Sequence, residues 1–283
     1  MIAKGPALGI SIFRILWTPV QISFALYIII WTWDEWSLPA LPYHPLLTPF
    51  TFIPPSLIIV LSFLYLLFAI LVGIGWHTRF SQNMLAILSI PLFFHSASTY
   101  HNHYAFALFI TFFLTLSPTE RFFSLDACNI RRALSPSAFR AWQNEEFLLT
   151  GQFLILLQTS FLYFFSALNK TNPDWFWRWS ATPEFADLSH SAIFGPLISL
   201  LLQHHLLWIP MIGIIMTMFA FTIGLFLACR HPWIAFVGIL FHLLLELSLP
   251  VILFTPMMMS IWILAMFPAE HSFTKSIEKS LMS

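Results

Sequence analysis

Two histidines at alternate positions stand in a polar turn between apolar segments, in the run His101-Asn102-His103. An imidazole can exchange a proton near neutral pH, and a carboxamide offers donors and acceptors that can orient a ligand. The two histidines could also bind a metal, but no third ligand accompanies them at a convincing spacing, so we predict no metal site. A hydrated polar turn without function is the alternative interpretation of these residue types.

Lys170, at the end of an apolar segment, is the second candidate. Helical spacing places Tyr163, Ser166 or Ala167, and Lys170 on one face of a helix, and Trp175 follows in the next stretch. In an apolar pocket an ammonium group loses hydration, so that a neutral amine becomes available as a base. A lysine that anchors the helix end among lipid headgroups is the alternative.

His242 and Glu246 form the third candidate, because residues four apart lie on one face of a helix. Glu246 lies within the apolar run 243–249, where an unpaired carboxylate is costly, so we expect it to be paired or protonated. The two side chains could contact a ligand or relay protons. A hydrogen-bonded clamp between helices is the alternative.

The composition predicts which elements position these candidates. The chain of 283 residues is 59% hydrophobic and only 8% charged, whereas about a quarter of a soluble domain is charged. Residues 53–74 and 206–229 contain no charged side chain, and each run is long enough for a helix to cross a hydrocarbon core of about 30 Å. Neither run alternates apolar and polar residues as a membrane β-strand does. The formal net charge of zero suggests no nucleic-acid partner.

We therefore predict an all-α, polytopic transmembrane helical bundle of about eight spans, formed by a single domain over residues 1–283 without a soluble domain. The spans are expected near residues 11–33, 53–74, 82–99, 103–118, 146–168, 204–228, 233–249 and 257–267. The third and fourth are close to the shortest length that crosses a bilayer, so a re-entrant hairpin is an alternative there.

The distribution of lysine and arginine predicts the orientation. With the N-terminus inside, the outer side holds only Lys170 and Arg178. The inner side collects Lys4, Arg79, Arg121, Arg131, Arg132, Arg140, Arg230, Lys275 and Lys279. Cytoplasmic loops carry an excess of these residues, so we expect both termini and the basic loop 119–145 to be cytoplasmic. All three candidate sites then lie toward the periplasmic or outward face of a multi-pass protein, which we expect in a bacterial inner membrane.

Several stretches share their order and spacing with one known family. They are His101-Asn102-His103-Tyr104 with Leu114 to Pro118, Arg121 and Ser124-Leu125-Asp126; then Tyr163-Phe164, Ser166-Ala167, Lys170 and Asp174-Trp175; and finally Phe241-His242. Together they resemble the HTTM domain, the transmembrane domain of vitamin K-dependent γ-glutamyl carboxylases and their bacterial relatives. The span around Arg14 and the turn 75–79 match more loosely. The resemblance covers nearly the whole chain.

The resemblance implies a cofactor and a set of roles. In the carboxylases a reduced naphthoquinone is deprotonated and reacts with O2, and the strong base so formed removes a glutamyl γ-proton before CO2 is captured. The implied cofactor is reduced vitamin K or a menaquinol-type naphthoquinone. Lys170 is implied as the base toward the hydroquinone, and Asn102 and His103 as groups that orient or protonate. The residues expected to contact the quinol are Tyr163, His101, His242, Glu246 and Trp175.

Other functions stay open at this point. In the carboxylases a large soluble region after the membrane domain handles the protein substrate, so the resemblance of the membrane domain implies quinol oxygenation more directly than glutamate carboxylation. The expected partners are membrane lipids or a quinol, with a separate protein or peptide substrate as an additional one. Proton-coupled transport through His242 and Glu246 is one alternative function, and a non-catalytic assembly partner is another.

Overall fold

The computed structural model describes residues 4–5, 7–34, 48–96, 102–172, 195–206, 208–248 and 253–267. Within these ranges the regular secondary structure is helical apart from one pair of two-residue strands. The chain divides into two compact units. Unit 1 comprises Met1–Leu154 with Phe267–Ser283, and unit 2 comprises Ile155–Met266.

In its described residues, unit 1 contains seven helices, the start of an eighth, and both strands. The helices are α1 (Leu8–Asp34), α2 (Thr48–Thr51), α3 (Pro55–Ile74), α4 (Thr78–Phe94), α5 (Asn102–Thr115), α6 (Leu125–Ala133) and α7 (Pro136–Gln143). Helix α3 packs between α1 and α4, and α5 packs against both α4 and α1. The strands β1 (Lys4–Gly5) and β2 (Phe147–Leu148) pair antiparallel.

Unit 2 is built from the helices that follow. They are most of α8 (Thr150–Lys170), then α9 (Gly195–Gln203), α10 (Trp208–Leu227), α11 (Pro232–Ser248) and α12 (Phe254–Met266). Helix α11 packs against both α10 and α12, and α10 also contacts α12. These contacts bring side chains of the last three helices together.

Each of the eight predicted spans coincides with a helix, which confirms the all-α prediction. In the described part of the chain, four helices are long and apolar enough to cross a membrane: Leu8–Asp34, Pro55–Ile74, Thr150–Lys170 and Trp208–Leu227. Helices α5, α11 and α12 are apolar but shorter. The count of eight spans and the orientation of the termini stay predictions.

The segment 119–145, treated as a loop in the sequence analysis, contains the short helices α6 and α7. Each helix is preceded by a serine whose side chain caps the first turn. The Ser124 hydroxyl accepts a hydrogen bond from the Ala127 amide at 2.9 Å, and the Ser135 hydroxyl accepts one from the Ala138 amide at 3.3 Å. Serine is among the preferred N-cap residues because its oxygen satisfies an amide that has no partner within the helix.

The buried side of α3 carries more polar atoms than its outer side. Ser62 and Tyr65 are buried, whereas Val60, Phe63 and Leu67 each expose about half of their side chains. A helix at a water-facing surface would show the opposite arrangement, with polar residues outside. An apolar outer surface of this kind is suited to contact with lipid.

Arg14 is the principal polar tie in unit 1. Its side chain is fully buried in α1 and donates from Nη1 to the Val72 carbonyl of α3 at 3.1 Å. Its Nη2 donates to the Phe123 carbonyl at 2.5 Å, just before α6. Burying a guanidinium is costly unless most of its donors are paired. The carbonyls pair both terminal nitrogens, whereas Nε has no partner among the described residues, and they fix α1, α3 and the start of α6 together.

Gly75 makes room for this tie. It ends α3 with a left-handed backbone (φ 73°), and its amide closes the last turn onto the Leu71 and Val72 carbonyls. A β-carbon on Gly75 would stand 2.2 Å from Nη1 of Arg14 and 2.6 Å from the α-carbon of Ser124. Both the backbone conformation and the space therefore require glycine.

Asp126 connects α6 to the start of α4. Its carboxylate accepts hydrogen bonds from the amides of His77 and Thr78, at 2.9 and 2.8 Å, and from the Thr78 hydroxyl at 2.7 Å. The Asp126 amide donates to the Gly75 carbonyl at 3.0 Å. A carboxylate at a helix N-terminus satisfies otherwise unpaired amides and interacts favourably with the positive end of the helix dipole. The turn 75–79 is therefore held by the Ser124-Leu125-Asp126 motif.

We expect Gly75→Ala to lower thermal stability in detergent, because alanine must adopt a left-handed backbone and displace Arg14. The backbone alone should cost about 1–3 kcal/mol. Gly213→Ala is the matched control, since nothing lies within 4 Å of a β-carbon at that position of α10. Glycine within a helix is less stable than alanine by about 0.5–1 kcal/mol, so the control should be neutral or slightly stabilised. Equal unfolding temperatures for Gly75→Ala and the parent would contradict this account.

The predicted orientation can be tested with the cysteine in α6. Cys128 is an exposed free thiol, so in a Cys229→Ser variant an impermeant maleimide should label it only after the cytoplasmic membrane is made permeable. Asp34 is exposed at the far end of α1, and Asp34→Cys in a background without the native cysteines should be labelled in intact cells. Reversed labelling of the two positions would show that the orientation is wrong.

Candidate functional site

Tyr163 lies at the centre of the polar group in unit 2. Its side chain, from α8, is fully buried, and its hydroxyl lies 2.6 Å from Nε2 of His242 on α11. The indole Nε1 of Trp262, on α12, donates to the same hydroxyl at 3.0 Å. One oxygen atom thus connects side chains of three helices.

Aromatic packing surrounds this group. The ring of Phe221, from α10, meets the rings of Tyr163 and Trp262 edge-on, with centroids 5.3 and 4.9 Å away. Phe254 contacts the imidazole of His242 in the same geometry at 5.3 Å. Edge-to-face contacts of this kind are favourable between aromatic rings, and they hold the polar atoms in an otherwise apolar environment.

Gly238 lets Trp262 approach α11. A β-carbon at Gly238 would lie 2.2 to 2.6 Å from three atoms of the indole ring, which is closer than any real contact. The indole therefore fills the space that a side chain would take, one turn before His242 on the same helix. The glycine thereby positions the donor that reaches Tyr163.

His242 and Glu246 have unsatisfied atoms on α11. His242 is only 1% exposed. Its Nδ1 and the Oε2 of Glu246 are buried, and neither has a hydrogen-bond partner among the residues that the structure describes. The carbonyl of His242 accepts a hydrogen bond from the Thr255 hydroxyl at 3.2 Å. The structure therefore shows no hydrogen bond between Nδ1 of His242 and Oε2 of Glu246, and contact of both side chains with a ligand stays a prediction.

Lys170 ends α8 two turns beyond Tyr163. Its Nζ donates to the Ser166 hydroxyl at 3.2 Å, and the side chain is half-buried. This contact confirms that Ser166 and Lys170 share a face of the helix. Tyr163 is on that face too but turned into the aromatic cluster, so the structure brings Tyr163 and His242 together and places Lys170 along the same helix.

The histidine turn belongs to unit 1. His103 is half-buried in the first turn of α5, and Asn102 is the first residue of that helix, with its side chain outside the described part. His101 and Trp175 both lie outside the described residues. The roles predicted for these residues stay predictions.

An open cavity of about 470 Å³ also lies in unit 1, and none of the predicted site residues lines it. Residues 77–80 at the start of α4 form one side of it, with Glu120, Asp126 and Asn129 on the other. Arg79 and Glu120 form an ion pair at 3.0 Å across its rim. The Asp126 carboxylate already caps α4, so the charged groups here serve mainly to hold the turn. The described residues contain no cluster of three or more histidine, cysteine, aspartate or glutamate side chains suited to a metal.

Trp262 is the member of the site that sequence analysis missed. It is the one tryptophan in the methionine-rich run 257–266, and an indole within a bilayer core needs an acceptor for its N–H. The need for an acceptor indicates from the sequence that Trp262 belongs to a polar contact, although it does not identify the residue that accepts. Arg14 entered the sequence-based predictions only through a loosely matching stretch of the family resemblance, although an arginine inside an apolar span was a similar signal.

A family comparison agrees with this arrangement of motifs. The model of the HTTM domain matches residues 6–270. The chain belongs to the HTTM domain family. Comparison with curated proteins and with solved structures found no match for the HTTM chain. The family match together with the four long apolar helices identifies it as a membrane protein.

We expect Tyr163→Phe to destabilise this HTTM protein, because it leaves the Trp262 N–H and Nε2 of His242 buried without their partner. Each orphaned group should cost about 1–3 kcal/mol. Phe165→Leu is a control on the same helix, at a side chain that is 61% exposed, and should change little. Thermal unfolding in detergent measures both. In the Trp262→Phe background, Tyr163→Phe should lower the unfolding temperature by less, since the indole N–H that would lose its partner is then absent. An equally large decrease in that background would contradict the hydrogen bond between Trp262 and Tyr163.

Proposed function

We propose that this HTTM protein is a membrane enzyme that acts on a lipid-soluble hydroquinone at a site formed by the outer part of unit 2. The observation that carries the proposal is the placement of an amine, Lys170, two turns along α8 from the buried pair Tyr163 and His242. Ionisable groups within a membrane domain are functional candidates by default, because their burial is costly.

The residues of unit 2 fit a naphthoquinol in two respects. Phe254, half-buried beside His242, offers an aromatic surface suited to a planar ring, whereas Phe221 and Trp262 are buried against each other. The unpartnered Nδ1 of His242 suits a hydroxyl or carbonyl oxygen. When bound, a hydroquinone supplies ionisable hydroxyl protons and the electrons that reduce O2.

Lys170 is proposed as the base that takes a hydroxyl proton. Phenolic hydroxyls and lysine ammonium groups both have reference pKa values of about 10, so a proton can pass between such groups at little free-energy cost. The Ser166 hydroxyl accepts one hydrogen bond from Nζ and so restricts where the amine points. Tyr163 is a poorer base because its hydroxyl already bonds to His242 and Trp262.

The remaining roles are extensions of this proposal. The family resemblance also implies roles for His103 and Asn102, which belong to unit 1, as groups that orient or protonate a reacting oxygen. Carbon dioxide capture on a separate protein or peptide substrate would complete a carboxylase-like reaction. Both steps depend on a functioning Lys170, so they are tested after it.

A second candidate, proton-coupled transport, is favoured by one observation. The Oε2 of Glu246 is buried without a hydrogen-bond partner in the described part of the chain, one turn from His242. Carboxylates and imidazoles in that position can relay protons through a membrane domain. Transport predicts that proteoliposomes dissipate a pH gradient and that Glu246→Gln abolishes this, whereas catalysis predicts no such flux.

The decisive experiment follows oxidation of a reduced naphthoquinone, with O2 uptake, by the purified protein in lipid nanodiscs. We expect Lys170→Arg to lose at least 100-fold in turnover, on the order of what a general base contributes, because a guanidinium does not release its proton under these conditions. Lys170→Ala should lose as much and recover partly with added small alkylamines.

Asn169→Ala is the control for this experiment, since Asn169 is the exposed neighbour of Lys170 at the same helix end. It should keep full turnover, and all three variants should unfold at the temperature of the parent. Full activity in Lys170→Arg would exclude the proposed base. Tolerance of changes at Lys170, His103 and Glu246 together would favour a non-catalytic assembly role.

A further inference from the structure

The donors and acceptors around Tyr163 determine which nitrogen of His242 carries the proton. An indole N–H can only donate, so the Tyr163 oxygen is the acceptor in its bond with Trp262. The single hydroxyl proton of Tyr163 must also be satisfied, because the side chain is fully buried. Nε2 of His242, at 2.6 Å, is the acceptor in position. If Nε2 carried a proton instead, the tyrosine hydroxyl proton would be left buried without an acceptor, which is unfavourable.

A neutral imidazole that accepts at Nε2 carries its proton at Nδ1. That Nδ1–H is buried and finds no acceptor among the described residues, while Oε2 of Glu246 is buried without a partner one turn later on α11. The rings that flank the imidazole, Phe241 and Phe254, offer no conventional acceptor. The Thr255 hydroxyl donates its proton to the His242 carbonyl. A donor and an acceptor on one helical face thus both lack a partner.

One oxygen atom of hydroxyl type can satisfy both groups. Its lone pair accepts from the Nδ1–H, and its own proton is donated to Oε2. Side chains at positions i and i+4 are neighbours on one helical face, and one oxygen with two hydrogen bonds of about 2.8 Å joins a donor and an acceptor about 4–5 Å apart. A carbonyl could accept from Nδ1–H but could not donate to Oε2, so it would leave Glu246 unsatisfied.

We propose that a hydroxyl oxygen, supplied by a water molecule or by a bound hydroquinone, bridges Nδ1 of His242 to Oε2 of Glu246. Glu246 is then a positioning residue, which keeps His242 in the Nδ1–H form through the bridge. The hydrogen-bond chain runs from Trp262 through Tyr163 and His242 to Glu246. This inference depends only on the geometry of unit 2, so it stands or falls separately from the proposed quinol chemistry.

The test is a nitrogen-15 NMR spectrum of the full-length protein, labelled at the histidine rings, because the two ring nitrogens resonate differently when protonated and unprotonated. The His242 signals are identified by their loss in His242→Asn. Should that variant not fold, Tyr163→Phe identifies them by a shift of Nε2. We expect the Nδ1–H tautomer in the parent.

Variants of Glu246 test the bridge itself. Glu246→Gln keeps a carbonyl acceptor and should leave the Nδ1 signal close to that of the parent. Glu246→Leu removes it and should shift the Nδ1 signal and mix the tautomers. Glu146→Leu is the control, at an exposed glutamate in unit 1, and should change neither. An Nε2–H tautomer in the parent, or an unchanged Nδ1 signal in Glu246→Leu, would overturn the bridge.

Two small probes identify the source of the oxygen. Under anaerobic conditions, 1,4-naphthohydroquinone should shift the Nδ1 signal while 1,4-dimethoxynaphthalene does not, if the ligand provides the hydroxyl. No shift with either probe, together with the Glu246→Leu effect, assigns the oxygen to water. Equal shifts with both probes would contradict a hydroxyl bridge. A bridge that persists in a protein without quinol turnover would refute the proposed function alone, and turnover without a bridge would refute only this inference.

Discussion

The hydrogen bond between Tyr163 and His242 is formed where neither group can exchange its partner for water. In such an environment each donor and acceptor requires a specific partner, because an unpaired one costs more than a typical hydrogen bond contributes. The Tyr163 hydroxyl meets this requirement by connecting α8, α11 and α12 through one atom. The aromatic packing around it and the absence of a side chain at Gly238 follow from the need to bring those partners within reach.

Unit 1 meets the same requirement with a charged group. Arg14 is fully buried, and its guanidinium donates to carbonyls that lie at the end of α3 and before α6. The rigid, multiply donating geometry of arginine suits this better than lysine would. Gly75 leaves room for the guanidinium, and the Asp126 carboxylate satisfies the amides at the start of α4.

These two networks show that some of the motifs shared with the family hold helices together, whereas others keep a polar atom available for a ligand. The Ser124-Leu125-Asp126 motif and the turn 75–79 hold helix ends together. The polar side chains of the motif form hydrogen bonds with backbone amides. Tyr163 and His242 also bond to each other, but His242 keeps one nitrogen that no described residue satisfies. Lys170 lies nearer the end of its helix and is only half-buried, as its proposed role as a base requires.

The sequence by itself determined the helices and the membrane class. Apolar runs in lipid have no stable alternative to a helix, because every backbone group must be paired within the segment. The helical segments were therefore predictable, with ends displaced by a few residues, although only four of the described helices are long enough to make a crossing evident. The short helices α6 and α7 were less evident, since their signal was limited to the caps at Ser124 and Ser135.

Only the tertiary structure decided the partners. Helical spacing correctly grouped Ser166 with Lys170, and it placed His242 and Glu246 on one face, but it left open whether these two contact each other or one ligand. It also gave no sign that His242 bonds to a tyrosine 79 residues earlier, or that the residue that orients the tyrosine, Trp262, lies on a third helix. Periodicity reports which face of a helix a side chain occupies and nothing about what packs against that face. In an apolar interior the choice of partner depends on which helices approach closely, and here a missing side chain at Gly238 allows that approach.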